Sequence, residues 1–120
     1  MKIHKSAEDY LEMILMLQET KGYVRSIDIA TGLSVSKPSV SVAMKRLRED
    51  GYIIMDKDNL ITLTESGMVI ARGVYDRHKV LTSFLMQLGV DEETAREDAC
   101  KIEHDISPAT LKAIRDHLEK

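Results

Sequence analysis

Ser36-Lys37-Pro38-Ser39-Val40-Ser41-Val42-Ala43-Met44-Lys45-Arg46-Leu47-Arg48 is the stretch that decides the fold of this 120-residue chain. Its apolar residues repeat with a helical period and predict one buried stripe, formed by Val40, Ala43, Met44 and Leu47. We therefore predict a helix from Ser36 to Asp50, with Pro38 in its first turn. Either Ser36 or Lys37 can cap this helix, because a residue that precedes proline avoids the helical conformation.

The segments on either side of this helix complete a known DNA-binding arrangement. The order of predicted elements is helix, short helix, turn, basic helix and two-stranded hairpin, which is the order of a winged helix-turn-helix. We expect Gly32 to take a left-handed conformation in the turn. The elements are a first helix capped by Ser6 and reaching about Glu19, a short helix at Ser26–Ala30, a turn at Thr31–Ser34, strands at Tyr52–Met55 and Leu60–Leu63, and a loop at Asp56–Asn59.

The basic helix offers two kinds of group to a nucleic acid. Small polar residues lie at its start, where base edges would be contacted, and cations lie near its end, where phosphates would be held. Pro38 and Val42 can touch thymine methyl groups, and Lys57 in the hairpin loop can reach the DNA backbone, although Asp56 and Asp58 oppose it. The candidate DNA-binding residues are Ser36, Lys37, Pro38, Ser39, Ser41, Val42, Lys45, Arg46 and Lys57, with Arg48 as a further cation.

Simpler interpretations of the same residues remain open at this point. The cations can be solvated charges on an ordinary helix, and three-helix arrangements also form protein-interaction modules. Val42 can be buried instead of exposed to DNA. The net charge of −3 does not by itself indicate a nucleic-acid-binding protein, but Ser36–Arg48 carries four cations and no acid, whereas Asp91–Asp105 carries seven acids and two cations.

The second half of the chain predicts three more helices. A long helix begins near Thr64 and reaches about Leu88, with Val69 on its apolar side, and Gly89 ends it. Asp91 caps a helix that reaches about Asp105. The last helix opens at Ser107-Pro108 and has its apolar residues in helical register: Leu111, Ile114 and Leu118.

A cluster of metal-ligand residue types lies in Cys100-Lys101-Ile102-Glu103-His104. On a helix, Cys100, Glu103 and His104 occupy positions i, i+3 and i+4 and share one face. Thiol, carboxylate and imidazole together suit a divalent transition metal. Three ligands from one helix leave an open side, and the candidates to close it are Asp9, Glu12 and His78. We expect one metal ion to be bound by these remote segments together and to set the conformation of the DNA-binding unit.

Each candidate ligand also has an ordinary structural interpretation. A single cysteine is often a small core residue, and His78 can be a satisfied polar residue. Asp9 and Glu12 can be acids that the first turn of a helix favours. The one cysteine rules out an internal disulfide framework. The chain has no apolar run of membrane-spanning length and no secretory signal, so we predict a cytoplasmic protein.

Four segments resemble the diphtheria toxin repressor family of metal-dependent transcriptional regulators, especially its manganese-regulator branch. They are Asp9-Tyr10-Leu11-Glu12, Ser36-Lys37-Pro38-Ser39-Val40-Ser41, Val74-Tyr75-Asp76-Arg77-His78 and Ala99-Cys100-Lys101-Ile102-Glu103-His104. The resemblance implies a mainly α fold with a small hairpin wing: a winged helix-turn-helix at residues 1–72, followed by a helical metal-binding and dimerisation domain at residues 73–120. It also implies a homodimer, for which we expect the stripes at Leu81–Leu88 and Leu111–Leu118 to form the interface.

The resemblance further implies specific residue roles. Ser36, Pro38 and Ser39 would approach bases of double-stranded operator DNA. The activating ion would be Mn²⁺ or Fe²⁺, with Co²⁺, Zn²⁺ or Cd²⁺ as surrogates, and no membrane or organic cofactor would be involved. The implied metal ligands are Asp9, Glu12, His78, Cys100, Glu103 and His104.

Departures from the family pattern bear on the metal. Asp9 and Glu12 match manganese-sensing members, whereas Cys100 matches iron-sensing members, which have methionine in place of Asp9. Thr82 and Arg96 stand where the iron branch has an ancillary metal site, so we expect that site to be absent. Val42 replaces a glutamine that contacts a base in some members. Because the sequence ends at Lys120, we also expect no SH3-like module.

Three function classes follow from these observations. The first is a metal-activated dimeric repressor of metal-homeostasis genes. The second is a winged-helix regulator that responds to a non-metal effector. The third is a small metal-dependent hydrolase, which the sequence disfavours because it has no glycine-rich phosphate loop and no nucleophile motif. We therefore predict that the protein is not an enzyme.

Overall fold

A computed structural model describes residues 5–120 and divides them into two compact units, the first ending at Arg72 and the second beginning at Gly73. The prediction of a mainly α fold with a small hairpin is confirmed. The elements are α1 (Lys5–Lys21), α2 (Ser26–Leu33), α3 (Lys37–Glu49), β1 (Ile53–Met55), β2 (Ile61–Leu63), α4 (Glu65–Gln87), α5 (Glu92–Ile102) and α6 (Pro108–Leu118). Among these helices, none has the length and apolar composition that crossing a bilayer requires.

The first unit is built around an aliphatic core. α3 buries Val40, Met44 and Leu47, which confirms most of the stripe predicted for it. The backbone N–H of Ile61 in β2 donates to the Val24 carbonyl at 2.8 Å and so joins the hairpin to the segment before α2. The buried apolar side chains of this unit are Leu11, Ile14, Leu15, Val24, Ile29, Ala30, Val40, Met44, Leu47, Ile53, Ile61 and Ala71.

The hairpin is antiparallel and pairs Ile53 with Leu63. Its loop is closed by the carboxylate of Asp56, which accepts hydrogen bonds from the backbone N–H groups of Asp58 at 2.8 Å and Leu60 at 3.0 Å. Asn59 takes a left-handed conformation with φ of 63°, which asparagine tolerates better than most residues. The loop is therefore held in shape by its own polar residues.

An ion pair fixes the start of α2 against the end of α1. Lys21 Nζ lies 2.6 Å from Asp28 Oδ1, and Asp28 Oδ2 accepts from the backbone N–H of Arg25 at 3.0 Å. The hydrogen bond from Lys21 holds the pKa of Asp28 below its ordinary value. A carboxylate in the first turn of a helix is also favoured by the helix dipole.

Several local predictions are wrong at helix ends and on helix faces. Ser6 lies inside α1 instead of capping it, and Val69 is 69% exposed. α2 continues through Gly32, and Ser34 takes the left-handed conformation with φ of 56°. Gly32 instead lies against α1: an added Cβ would be 2.8 Å from Met13 Sδ, so a larger residue would require the Met13 side chain to move.

The second unit consists of the later part of α4 with α5 and α6. Its buried apolar side chains are Val74, Leu81, Ala95 and Ala99. The predicted caps are confirmed, because Asp91 Oδ2 accepts from Thr94 N at 3.0 Å and Ser107 Oγ accepts from Thr110 N at 3.1 Å. The bond from Thr94 N lowers the pKa of Asp91.

The surface expected to form a dimer is only partly exposed. Leu81 is 1% exposed and belongs to the core of the second unit, whereas Leu88 is 66% exposed. The apolar residues of α6 are half-buried, and this helix contains no fully buried residue. The accessible part of the predicted interface is thus the exposed end of α4 together with the half-buried apolar side of α6.

A pair of glycine substitutions in α4 tests the packing of the first unit. A Cβ on Gly67 would overlap the carbonyl oxygen of Tyr52, whereas a Cβ on Gly73 would lie 3.8 Å from Arg77 Nη1, which is an ordinary van der Waals distance. We expect Gly67→Ala to lower the free energy of unfolding by about 1–3 kcal/mol, as overpacking does. Gly73→Ala is the control and should be neutral or stabilising, because alanine favours helix. Urea denaturation measures both, and equal stability of the two variants would contradict the predicted overlap.

Candidate DNA interface and metal site

The basic helix α3 begins at a serine cap. Ser36 has extended backbone angles (φ −73°, ψ 153°), and its hydroxyl accepts from the backbone N–H of Ser39 at 3.2 Å. The two hydroxyls are also hydrogen-bonded to each other, with 2.8 Å between their oxygens. The structure thus decides between the two predicted caps in favour of Ser36, and Lys37 becomes the first residue of the helix.

Every candidate DNA-binding residue is exposed. Val42 is 70% exposed, so the alternative that it is buried is wrong. The residues of α3 and its cap that face solvent are Ser36, Lys37, Pro38, Ser39, Ser41, Val42, Lys45, Arg46 and Arg48. Small polar and apolar groups therefore precede a cationic end along one accessible helix, as groove contacts followed by phosphate contacts require.

Lys57 is exposed near the tip of the hairpin, between Asp56 and Asp58. The carboxylate of Asp56 is engaged by backbone N–H groups within the loop. Asp58 is exposed and lies next to Lys57 in the chain. The wing therefore offers one cation among acids, which is a weaker phosphate contact than the end of α3.

The predicted ligand helix ends earlier than the sequence pattern indicated. α5 stops at Ile102, Glu103 is its C-cap, and His104 lies in the following turn. The expectation of one helix that continues through His104 is therefore wrong, but the expected proximity of Cys100 and Glu103 is confirmed, because the Cys100 sulfur lies within 4.8 Å of a Glu103 carboxylate oxygen. Cys100 is exposed, whereas Glu103 is 1% exposed and the His104 side chain is 2% exposed. α5 must in any case end before Ser107, which has extended backbone angles and precedes Pro108.

The Glu103 carboxylate lies between two imidazoles in the second unit. His78 Nδ1 is 3.2 Å from Glu103 Oε2, and His104 Nε2 is 3.3 Å from Glu103 Oε1. Both oxygens are buried, and neither accepts a hydrogen bond of normal geometry from any residue in the described part of the chain. A buried carboxylate in this state is costly unless a positive charge compensates it.

These distances fit ligands that share a metal ion. Two donor atoms at 2.0–2.1 Å from one divalent ion are separated by roughly 3.0 Å in octahedral geometry and by about 3.3 Å in tetrahedral geometry. Imidazole and carboxylate are ligands that Mn²⁺, Fe²⁺ and Zn²⁺ accept. Each oxygen of Glu103 faces a different histidine, so a cation can bind on either side of the carboxylate.

The remaining predicted ligands lie on α1 and α5. Asp9 and Glu12 are on α1, and Glu12 is only 8% exposed. Cys100 is in the last turn of α5. The structure also shows a contact that the sequence patterns did not predict: Arg77 Nε donates to the backbone carbonyl of Glu103 at 3.1 Å. Its only sequence indication was that Arg77 immediately precedes His78.

Two family models match the chain, one in each half. Residues 2–60 match the iron dependent repressor N-terminal DNA binding domain. Residues 64–120 match the iron dependent repressor metal binding and dimerisation domain. The match to the N-terminal model contains α3 and the hairpin, and the match to the C-terminal model contains the His78–Glu103–His104 cluster.

Curated relatives carry related names. The transcriptional regulator MntR of Lysinibacillus sphaericus (strain C3-41) is 40% identical over 111 residues, which is 92% of this chain and 80% of the relative. MntR of Bacillus subtilis (strain 168) is 41% identical over 111 residues, covering 92% of this chain and 78% of the relative. Both are HTH-type transcriptional regulators.

Solved structures of manganese regulators are similar throughout this chain. The manganese regulator SloR has a TM-score of 0.83 and 31% identity, covering 99% of this chain and 55% of SloR. A manganese-dependent transcriptional repressor in complex with manganese has a TM-score of 0.86 and 30% identity, covering 94% of this chain and 52% of that protein. The chain thus spans about half the length of these two proteins.

Replacing the two serines at the start of α3 separates capping from other roles. Ser36→Ala removes the acceptor for the Ser39 N–H, and loss of a serine cap costs about 0.5–2 kcal/mol. Ser39→Ala keeps the cap and should cost less. Urea denaturation of both variants measures the difference. If Ser39→Ala were as destabilising as Ser36→Ala, the bond between the two hydroxyls would matter more than the cap.

Proposed function

Because the chain belongs to the iron-dependent repressor family of transcriptional regulators, we propose that it is a metal-activated repressor that binds operator DNA as a homodimer. The observation that carries this proposal is the buried Glu103 carboxylate, which lies between two imidazoles at distances suited to a shared cation. Members of this family regulate transcription and are not enzymes. As a DNA-binding regulator, the protein would act in the cytoplasm.

The proposed metal ligands fall into two groups by the kind of support they have. His78, Glu103 and His104 are supported by the geometry of the second unit. Asp9 and Glu12 are supported by the chemistry of their side chains and by their match to the family pattern, and Cys100 has this support together with the distance of its sulfur from the Glu103 carboxylate, which is within 4.8 Å. Glu12 has the added support of burial, since a buried carboxylate needs compensation.

Mn²⁺ or Fe²⁺ is the proposed activator. The MntR relatives and the solved manganese regulators support Mn²⁺, and five of the six proposed ligands offer oxygen or nitrogen atoms that suit both ions. The thiol of Cys100 favours Fe²⁺ and would also favour Co²⁺, Zn²⁺ or Cd²⁺ as surrogates. No organic cofactor is proposed.

α3 is the proposed recognition helix. Ser39, Ser41 and Val42 would contact base edges, whereas Lys45 and Arg46 would hold phosphates. Lys57 would add a backbone contact from the wing. In a dimer, two such helices would reach successive major grooves of a near-palindromic site. The apolar residues proposed for the dimer interface are the exposed Leu88 and the half-buried Leu111, Ile114 and Leu118.

Activation by a metal is a thermodynamic coupling between two binding events. If the conformation that binds DNA also binds the metal more tightly, metal must raise the affinity for DNA by the same factor by which DNA raises the affinity for metal. Without metal, the buried acidic side chains disfavour that conformation. This coupling distinguishes a metal sensor from a winged-helix regulator that responds to another effector.

Replacing Glu103 with glutamine tests the proposal directly. We expect wild-type protein to bind promoter DNA of its own gene tightly with Mn²⁺ or Fe²⁺ and weakly with chelator. Glu103→Gln should lose more than about 100-fold in metal affinity, because it removes the charge of a ligand, and should lose metal-dependent DNA binding. Glu97→Gln, an exposed acid on α5, is the control.

Anaerobic titrations at one salt concentration, with chelator, Mn²⁺, Fe²⁺ and Zn²⁺ compared side by side, measure both affinities. Salt must be fixed because phosphate contacts depend on it. Equal DNA affinity with metal and with chelator would be consistent with a DNA-binding winged helix but would reject the proposal that metal activates it. Normal metal binding by Glu103→Gln would reject Glu103 as a ligand.

The roles assigned within α3 make a second prediction. Lys45→Ala should weaken binding to all DNA sequences and reduce the dependence of log K on log salt by about 0.9, since one phosphate contact is lost. Val42→Ala should leave that salt dependence unchanged and alter base preference instead. Fluorescence anisotropy over a salt series measures both. An unchanged salt slope in Lys45→Ala would place Lys45 away from phosphate.

A further inference from the structure

We propose that Arg77 is a positioning residue of the metal site, which orients Glu103 and His104 by holding the main chain where α5 ends. Arg77 Nε–H donates to the Glu103 carbonyl at 3.1 Å in a partly buried position. The two residues belong to different helices, because Arg77 lies on α4 and Glu103 is the C-cap of α5. This inference rests on the proposed function and extends it to a residue that does not itself bind metal.

The bond satisfies a group that a helix end leaves without an intrahelical partner. The last carbonyls of a helix lack the N–H donors of a following turn, and cationic side chains near a helix C-terminus are favoured. Here the chain leaves α5 through a tight turn in which Asp105 N donates to Ile102 O at 3.0 Å. Arg77 is therefore placed to stop this turn from fraying.

Arg77 and His78 act on the same residue from two sides. Arg77 holds the backbone of Glu103, while His78 Nδ1 lies 3.2 Å from its carboxylate. The neighbouring residue His104 places Nε2 3.3 Å from the other carboxylate oxygen. A change in the backbone angles of Glu103 would move two candidate ligands together, so fixing this one carbonyl fixes a large part of the site.

The charge of Arg77 and its positioning role have opposite effects on metal affinity. A guanidinium near a cation site repels the cation, so removing the charge alone would raise metal affinity. Loss of positioning lowers metal affinity instead, as loss of the groups that orient ligands commonly does. The direction of the change therefore separates the two effects.

Three substitutions test the inference. Arg77→Met removes both charge and hydrogen bond, Arg77→Lys retains a donor and the charge, and Arg96→Met removes an exposed cation of α5 that pairs with Glu92 at 2.6 Å. We expect Arg77→Met to weaken Mn²⁺ binding by about 10- to 100-fold. Arg77→Lys should recover most of that loss, and Arg96→Met should match wild type. The EPR signal of free Mn²⁺ measures affinity and stoichiometry.

Two readouts do not depend on DNA binding. Hydrogen exchange in the metal-free protein should speed up at residues 103–105 in Arg77→Met only. The visible spectrum of bound Co²⁺ should change in Arg77→Met and be restored in Arg77→Lys. If Arg77→Met unfolds, Arg77→Lys is compared with wild type and with Arg96→Met instead. We then expect a small loss of Mn²⁺ affinity in Arg77→Lys and none in Arg96→Met.

The outcomes separate this inference from the function on which it rests. If wild-type protein bound no Mn²⁺, the proposed function would fail, and the inference with it. If wild type bound Mn²⁺ and Arg77→Met bound it equally or more tightly, only the inference would be overturned. The inference alone would also be overturned if Arg77→Lys lost as much Mn²⁺ affinity as Arg77→Met. If Arg77→Met were unfolded, it would be overturned by a folded Arg77→Lys variant that bound Mn²⁺ as tightly as wild type.

Discussion

The second unit depends on how it accommodates one buried negative charge, the carboxylate of Glu103. Transfer of a carboxylate from water to a protein interior costs several kcal/mol unless opposite charge or hydrogen bonds replace its hydration. Glu103 has two imidazole nitrogens at 3.2 and 3.3 Å and no hydrogen bond of normal geometry to either oxygen from residues 5–120. A divalent cation beside this carboxylate would supply the missing compensation, so the proposed function would link metal binding to the burial of Glu103.

The helices around Glu103 are arranged to place its main chain as well as its side chain. α4 contributes Arg77 and His78, which are consecutive and reach the carbonyl and the carboxylate of the same residue. α6 begins at a serine cap followed by Pro108, so α5 must end before it. The bond from Arg77 thus holds the main chain where α5 ends, beside the candidate ligands Glu103 and His104.

Features that depend on neighbouring residues in the sequence were predicted correctly, whereas features that depend on other elements were not. Spacing and capping chemistry predicted α3, its buried stripe and the caps Asp91 and Ser107, because these features depend on residues close in sequence. The surroundings of the end of α5 and of Gly32 depend on residues in other elements. Arg77 of α4 contacts the end of α5, and Met13 of α1 lies against Gly32. Sequence patterns therefore predicted that Cys100 and Glu103 lie close together, but they did not predict that α5 ends before His104.

The start of α3 shows how one local constraint limits what the helix offers to DNA. The resemblance implies that Ser36 and Ser39 both approach bases, yet their hydroxyls are bonded to each other at 2.8 Å and Ser36 also caps the helix. Each serine has one O–H donor. One of these two donors is used within the pair, so the pair presents a single free O–H to a base edge. At the proposed DNA interface the two serines would therefore act as one unit, and the effects of replacing them on DNA affinity should not add.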